Sequence, residues 1–318
     1  MNDRPRPSMR RRRVPGTDRG LSEVTISLDP PAVASPALDA RVVELLRRAR
    51  SRGVTTFDVA DARYPARAER LIATAFPEAA ADVGVVVGRS TRSLSGERTP
   101  RGDPFRSRDL ESALEESLEQ SRRRLAPVPI TILEWTPTTE EGRVGTGDET
   151  LPPARIHGRS DFEWALRLPP HSVGASESSG APTVLSGELS LLDRELVARF
   201  EEGGTKSEKR LIARNPFSDG RLDGSRFAAA TAPTSPGSGP IEIRRLEAEF
   251  APVLALGFLT ESRTRTLAQA ALSYVLDWPW VATAVVPLPA PERLEEVLGF
   301  RGSPSFTDEE RSRLGLVK

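Results

Sequence analysis

The stretch FDVADARYPARAERLIATAF, residues 57–76, gathers side chains that can do chemistry. Asp58 and Asp61 are carboxylates, Arg63 and Arg67 are fixed cations, and Tyr64 is one of only two tyrosines in the chain. A phenol near its ordinary pKa of about 10 donates a proton at neutral pH only when neighbouring charge helps it. A second candidate is Glu134, at the end of the apolar run VPITILEW. Burial raises a carboxyl pKa, so such a group can be held neutral. Arg89 follows the apolar run DVGVVVG and adds a charge that cannot relay a proton. Blander roles stand beside these. Asp58 could bond nearby backbone, Tyr64 could pack on the surface of the following helix, and Glu134 could pair with Arg63 or Arg89. Asp58, Asp61 and Glu134 together could suit Mg²⁺, but the neighbouring arginines argue against a bare acidic pocket, and no metal site is expected.

The elements around these residues alternate. VTISL (24–28), VTTFDVA (54–60), DVGVVVG (82–88), VPITILEW (128–135), ARIHG (154–158), TVLSGELS (183–190), RLIARN (210–215) and WVATAVVP (280–287) read as strands. Apolar residues at helical spacing predict helices over 38–53, 66–76, 109–126, 193–203, 265–278 and 291–300. Short continuous apolar strands suit a parallel sheet covered on both faces. Eight strands, most followed by a helix, predict an α/β fold of the (β/α)8 TIM-barrel type. An open doubly wound sheet is the rival, and no G-x-G-x-x-G follows the first strand. Four long polar connections, 89–108, 136–153, 169–182 and 218–240, are either site-building loops or unselected insertions.

Composition narrows the function. Cysteine is absent, which removes disulfides and thiolate catalysis, and the two histidines make a histidine-rich metal site untenable. Lysine occurs only at 206, 209 and 318, so no mechanism can use a lysine from the first 205 residues. The formal net charge of zero provides no global field for nucleic acid or membrane. The chain lacks a run of about 18 apolar residues. Its arginine-rich N-terminus carries no apolar segment, which predicts a cytoplasmic protein. Residues 1–20 read as a disordered basic arm and 21–318 as one barrel domain.

The residues from 57 to 76 resemble the aldo-keto reductase pattern F-D-T-A-D-x-Y-G-x-G-x-S-E-x-L-[LI]-G-x-A-L. Phe57, Asp58, Ala60, Asp61, Arg67, Glu69, Leu71 and Ala75 fall in step without a gap. Five further blocks follow in the family's order. SLEQSRRRLAPVPITILEWTP (117–137) is similar to S-L-x-x-S-L-x-R-L…D-L-Y-x-L-H-W-P, and ARIHGRSDFE (154–163) to R-x-x-G-V-S-N-F. GELSLLDRE (187–195), LIARNPFSDGRLDG (211–224) and AQAALSYVLDWPWVATAVVPLPAPERLEEVL (268–298) complete the set.

The resemblance implies a barrel that binds NADP(H) and reduces carbonyls through an aspartate, a tyrosine, a lysine and a histidine. Asp58 keeps the aspartate. Arg63 stands at the tyrosine position, and Tyr64 is one place off. Gly88, with Arg89 beside it, falls at the lysine, and Glu134 replaces the histidine. The candidate catalytic set is therefore Asp58, Tyr64, Arg89 and Glu134. For the cofactor, the resemblance places Ser160 and Asp161 at the nicotinamide carboxamide. Pro216, Phe217, Gly220, Leu222 and Gly224 form a strap over the pyrophosphate, and Arg293 lies at the adenosine phosphate. Trp135 is expected beside the cofactor. At the adenosine end Leu288 and Pro289 replace small residues. Two readings stay open. One is an oxidoreductase reducing a small-molecule carbonyl or enone with NADP(H). The other is an inactive homologue that has lost the cofactor and serves as a binding or scaffolding module for a protein partner.

Overall fold

A computed structural model of the chain describes residues 9–15, 20–31, 35–78, 82–90, 94, 107–137, 161–168, 183–202, 209–230, 240–303 and 305–316. A two-residue hairpin comes first, β1 (Arg11–Arg12) paired antiparallel with β2 (Leu21–Ser22). Eight parallel strands then close a barrel: β3 (Val24–Ser27), β4 (Thr56–Asp58), β5 (Gly84–Ser90), β6 (Ile130–Thr136), β7 (Glu163–Arg167), β8 (Val184–Glu188), β9 (Arg210–Arg214) and β10 (Val281–Pro287), with β10 pairing back onto β3. The expected (β/α)8 barrel is thus the observed fold.

The described helices are α1 (Pro36–Ser51), α2 (Pro65–Ala75), α3 (Ser107–Leu125), α4 (Glu195–Glu202), α5 (Ser225–Ala230), α6 (Pro240–Leu254), α7 (Leu267–Asp277), α8 (Pro291–Leu298) and α9 (Asp308–Arg313). Proline opens α1, α2 and α8, where its missing N–H would be unpaired anyway. At α7, Thr266 and Gln269 bond reciprocally to each other's backbone and fix the helix start.

Strand periodicity sorts the side chains into two layers. Val86, Ile132, Ala165, Val184, Ile212 and Ala282 fill the barrel interior, with Val14 and Leu21 of the hairpin segment closing its floor. Their strand neighbours Val85, Val87, Leu133, Trp164, Leu166, Leu211 and Ala213 face the helices. Trp135 belongs to this outer layer and is 2% exposed, so it does not line the mouth as expected.

Three expectations need correction. The strand placed at 154–158 lies outside the described residues, and the barrel's fifth strand is β7, some nine residues later. Part of the segment expected as a disordered arm is in the fold. Arg12 donates from Nη1 to the carbonyls of Trp278 (3.0 Å) and Val281 (2.7 Å) and from Nε to Glu23 (3.1 Å). The connection 218–240 includes ordered turns and α5.

Candidate active site

Sites in such barrels form at the C-terminal ends of the strands. Here those ends bring together Asp58 of β4, Glu134 of β6, Arg167 of β7, Ser186 of β8 and Arg214 of β9, with Asp61 from the turn after β4. Each strand residue shares the inward parity of the interior layer: Glu134 follows Ile132, Arg167 follows Ala165, and Arg214 follows Ile212.

Arg214 is the hub. Its Nη2 donates to Asp58 Oδ2 (2.8 Å) and Glu134 Oε2 (2.6 Å). Its Nη1 donates to Asp61 Oδ2 (3.0 Å) and more weakly to Asp58 Oδ1 (3.3 Å). Its Nε reaches Glu134 Oε2 and Ser186 Oγ, both at 2.9 Å. Every face of the guanidinium is engaged. Arg167 stands outside it, donating from Nε to Glu134 Oε1 (2.7 Å) and from Nη2 to both oxygens of Asp61 (2.6 and 2.7 Å). Its side chain is 18% exposed, and its Nη1 has no partner among the described residues.

The charges sort by environment. Burial alone would raise the Glu134 carboxyl, but the guanidiniums of Arg214 and Arg167 outweigh it and hold it below the ordinary carboxylate range. Asp61 is held down by the same two arginines against its own partial burial. Asp58 goes the other way, because complete burial pushes it up against the pull of Arg214. Three carboxylates face two guanidiniums, so a proton on Asp58 makes the cluster neutral. The place that these carboxylates would offer a divalent cation is taken by Arg214.

The expected catalytic residues divide. Asp58 and Glu134 meet in the cluster. Tyr64 does not, because it precedes α2 at the surface and is 43% exposed. Arg63, at the family's tyrosine position, pairs with Asp29 (2.9 Å). Arg89 has outward parity with Val85 and Val87, and it donates to Ser117 Oγ (2.7 Å) on α3 and to Ser121. It lies between barrel and helices, so it cannot support charge at the mouth. Gly88 is the inward residue, and a Cβ there would lie 2.7 Å from Ala60 Cα and 2.6 Å from its carbonyl oxygen. The lysine position is therefore closed by backbone. Arg214 supplies Asp58 with its cation from the far side of the barrel instead.

The cofactor candidates divide as well. Ser160 lies outside the described residues. Asp161 precedes β7, at the end of the barrel opposite the mouth, and pairs with Arg122 of α3. It cannot hold a nicotinamide there, because the strand it was expected to follow begins after it. The strap folds as a tight loop from Pro216 to Gly224, with Phe217 and Leu222 buried as its anchors. Asn215, Ser218, Asp219, Gly220 and Gly224 all have positive φ. A Cβ on Gly220 would lie 2.2 Å from Ser225 Oγ and 3.0 Å from the Arg226 amide. The amides of Gly220, Asp223 and Gly224 have no acceptor among the described residues. Loops that leave amides unpaired can receive phosphate oxygens. Arg293 is partly neutralised, 3.5 Å from Asp223 and 3.4 Å from Glu296.

Arg167 and Arg214 were not singled out from the sequence. Inward parity in RLIAR was the available signal for Arg214. For Arg167, the misplaced fifth strand hid it.

No protein-family model matches the sequence, and no curated protein matches it. Solved structures do. A glycerol dehydrogenase from Gluconobacter oxydans is 17% identical, with 95% of this chain and 93% of that chain covered at a TM-score of 0.67. The holo form of an aldo-keto reductase from Bacillus halodurans is 17% identical, over 97% and 96% of the two chains, at 0.64. An aldo-keto reductase from Klebsiella pneumoniae, solved with NADP and acetate, is 13% identical, over 93% and 91%, at 0.63. At this distance the likeness establishes the fold: the chain folds as a (β/α)8 barrel similar to those of solved aldo-keto reductases, with an arginine–carboxylate cluster at its mouth.

Proposed function

We propose that the protein is an oxidoreductase of the aldo-keto reductase type, reducing a small carbonyl or enone with NADP(H), and that Arg167 replaces the family's acid as the polarising group. The observation that carries this reading is Arg167 Nη1, which has no partner among the described residues, on a side chain that Glu134 and Asp61 hold at the mouth through Nε and Nη2. The strap from Pro216 to Gly224, with three amides that have no acceptor among the described residues, suits a pyrophosphate. NADP(H), when bound, supplies the hydride. The chain's own part is to bind the carbonyl oxygen at Arg167 and to stabilise the negative charge that grows there. Guanidinium donors fixed in advance do this without giving up a proton. The proton that completes the alcohol comes from water at the mouth, since Arg214 and Arg167 keep Glu134 ionised. Beneath, Arg214 and Asp58 hold the cluster in place.

Fluorescence titration with NADPH, followed by turnover on a panel of aldehydes, ketones and enones, tests this. Micromolar binding and measurable turnover are expected. The Arg167→Gln variant should lose about 10²–10³-fold in kcat with its NADPH affinity kept, the loss typical for removal of one charge-stabilising donor.

The closed lysine position at Gly88 favours a second reading, in which the barrel has given up reduction and serves as a binding module for a protein partner. No NADPH binding at millimolar concentration would establish that reading over the first.

A further inference from the structure

A second concavity lies away from the mouth, in the groove between α1 and α2, with a volume of about 430 Å³. From α1 it is lined by Asp39, Ala40, Val43 and Arg47, and from α2 by Arg67, Arg70, Leu71 and Thr74. Each set follows helical spacing, so one stripe of each helix faces the groove. Val43 and Leu71 are buried and provide an apolar floor. The rim is cationic, with three arginines against the single carboxylate of Asp39.

The arginines are fixed to different degrees. Arg67 bonds Asp39 (2.5 Å) and the carbonyl of Pro31. Arg47 donates from Nε to the Ala75 carbonyl and from Nη2 to the Thr74 carbonyl, both at 3.1 Å, so it caps the end of α2. Its Nη1 has no acceptor among the described residues, and none of the donors of Arg70 has one either. The groove therefore offers an apolar floor, planar guanidinium faces and spare N–H donors at its edge. That combination matches a flat apolar body carrying one negative charge. Guanidinium planes stack on aromatic rings, and their edges receive carboxylate oxygens in pairs.

We propose that the α1–α2 groove binds a planar aromatic carboxylate, with the ring on Val43 and Leu71 and the carboxylate at Arg47 and Arg70. The volume lies within the range of small-ligand sites, about 300–1,000 Å³. The site is separate from the mouth and does not depend on NADP(H) or turnover.

Calorimetric titration of the full chain with 2-naphthoate, and with the neutral 2-naphthamide, tests it. The acid should bind with a Kd below about 1 mM, at least ten-fold more tightly than the amide. Arg70→Gln should weaken the acid by about ten-fold, the typical loss for one charge-assisted hydrogen bond. Arg70 holds no other described group, so this variant should keep the wild-type melting temperature. Equal affinity for acid and amide would overturn the proposal, as would an acid affinity unchanged in Arg70→Gln or no binding at 5 mM. Arg167→Gln provides the control, because it alters the mouth and should leave naphthoate binding unchanged. Loss of naphthoate binding in that variant would place the acid at the mouth and also count against the groove.

Discussion

The two ends of the barrel each bury an ionic cluster, and they are built differently. At the floor a single carboxylate, Glu23, is shared by Arg12 (3.1 Å) and Arg301 (2.7 Å), and Arg12 also bonds backbone carbonyls just before and at the start of β10. This cluster ties the N-terminal hairpin to the chain's last turns. At the mouth three carboxylates surround Arg214, and Arg167 stands outside with its Nη1 unpartnered among the described residues. The floor has more cations than anions and joins distant segments. The mouth has more anions than cations and converges from five of the eight barrel strands on one point. Convergence with an unused donor marks a site, and linkage of chain ends marks a fastening.

The largest effect that can test this contrast is removal of the hub. Arg214→Met leaves Asp58 buried without a cation and Glu134 buried with Arg167 alone, and breaking such an arrangement costs about 3–5 kcal/mol. Urea denaturation at pH 7 should show that loss, and a change below 1 kcal/mol would mean that the cluster is not a unit. Next, Arg167→Gln should act on turnover far more than on stability, since it leaves the hub intact. At the floor, Glu23→Gln should lower stability by about 2 kcal/mol, less than the hub because both arginines reach solvent. NADPH affinity should not change in that variant. If it does, the two ends are coupled and the contrast fails.

Acid separates the members of the mouth cluster. Glu134 and Asp61 have depressed folded-state values. Their contribution is present above the ordinary carboxylate value of about 4 and is lost as pH falls through the lower folded values. Asp58 is raised, so its contribution is present below the ordinary value and is lost as pH rises through its folded value. Urea midpoints from pH 3 to 8 should therefore fall at the acid end. They should also decline on the alkaline side of the Asp58 titration, and Asp58→Asn should remove that second decline alone. The smallest expected effect is that of Tyr64→Phe. An exposed phenol with no role at the mouth should leave stability within about 0.5 kcal/mol and turnover unchanged.

The barrel was legible because seven of its strands are short apolar runs bounded by turn residues. The eighth, EWALR, begins and ends on charge and carries only Trp164, Ala165 and Leu166 between, so a nearby R-x-x-G match displaced it. Half of the site was legible in the same way. Asp58 ends β4 and Glu134 lies two residues before the end of β6, both on the inward parity, and Arg214 bonds both. Arg89 was misread because its distance along the chain was weighed and its parity was not. In GVVVGRS the inward positions are Val86 and Gly88, which sends Arg89 to the helices. Arg214 was hidden for a different reason, since only the closed barrel sets β9 across from β4. Two strands far apart in sequence then share one ion pair.

The contact between Gly88 and Ala60 also bears on how this barrel could be changed. A lysine cannot be placed at position 88 in one step, because its first side-chain carbon would overlap Ala60's backbone. Asp58 already has its cation in Arg214, so a new cation at the mouth would also compete with that pair. Libraries aimed at giving this barrel a new chemistry are better begun at positions 60 and 88 together than at either alone.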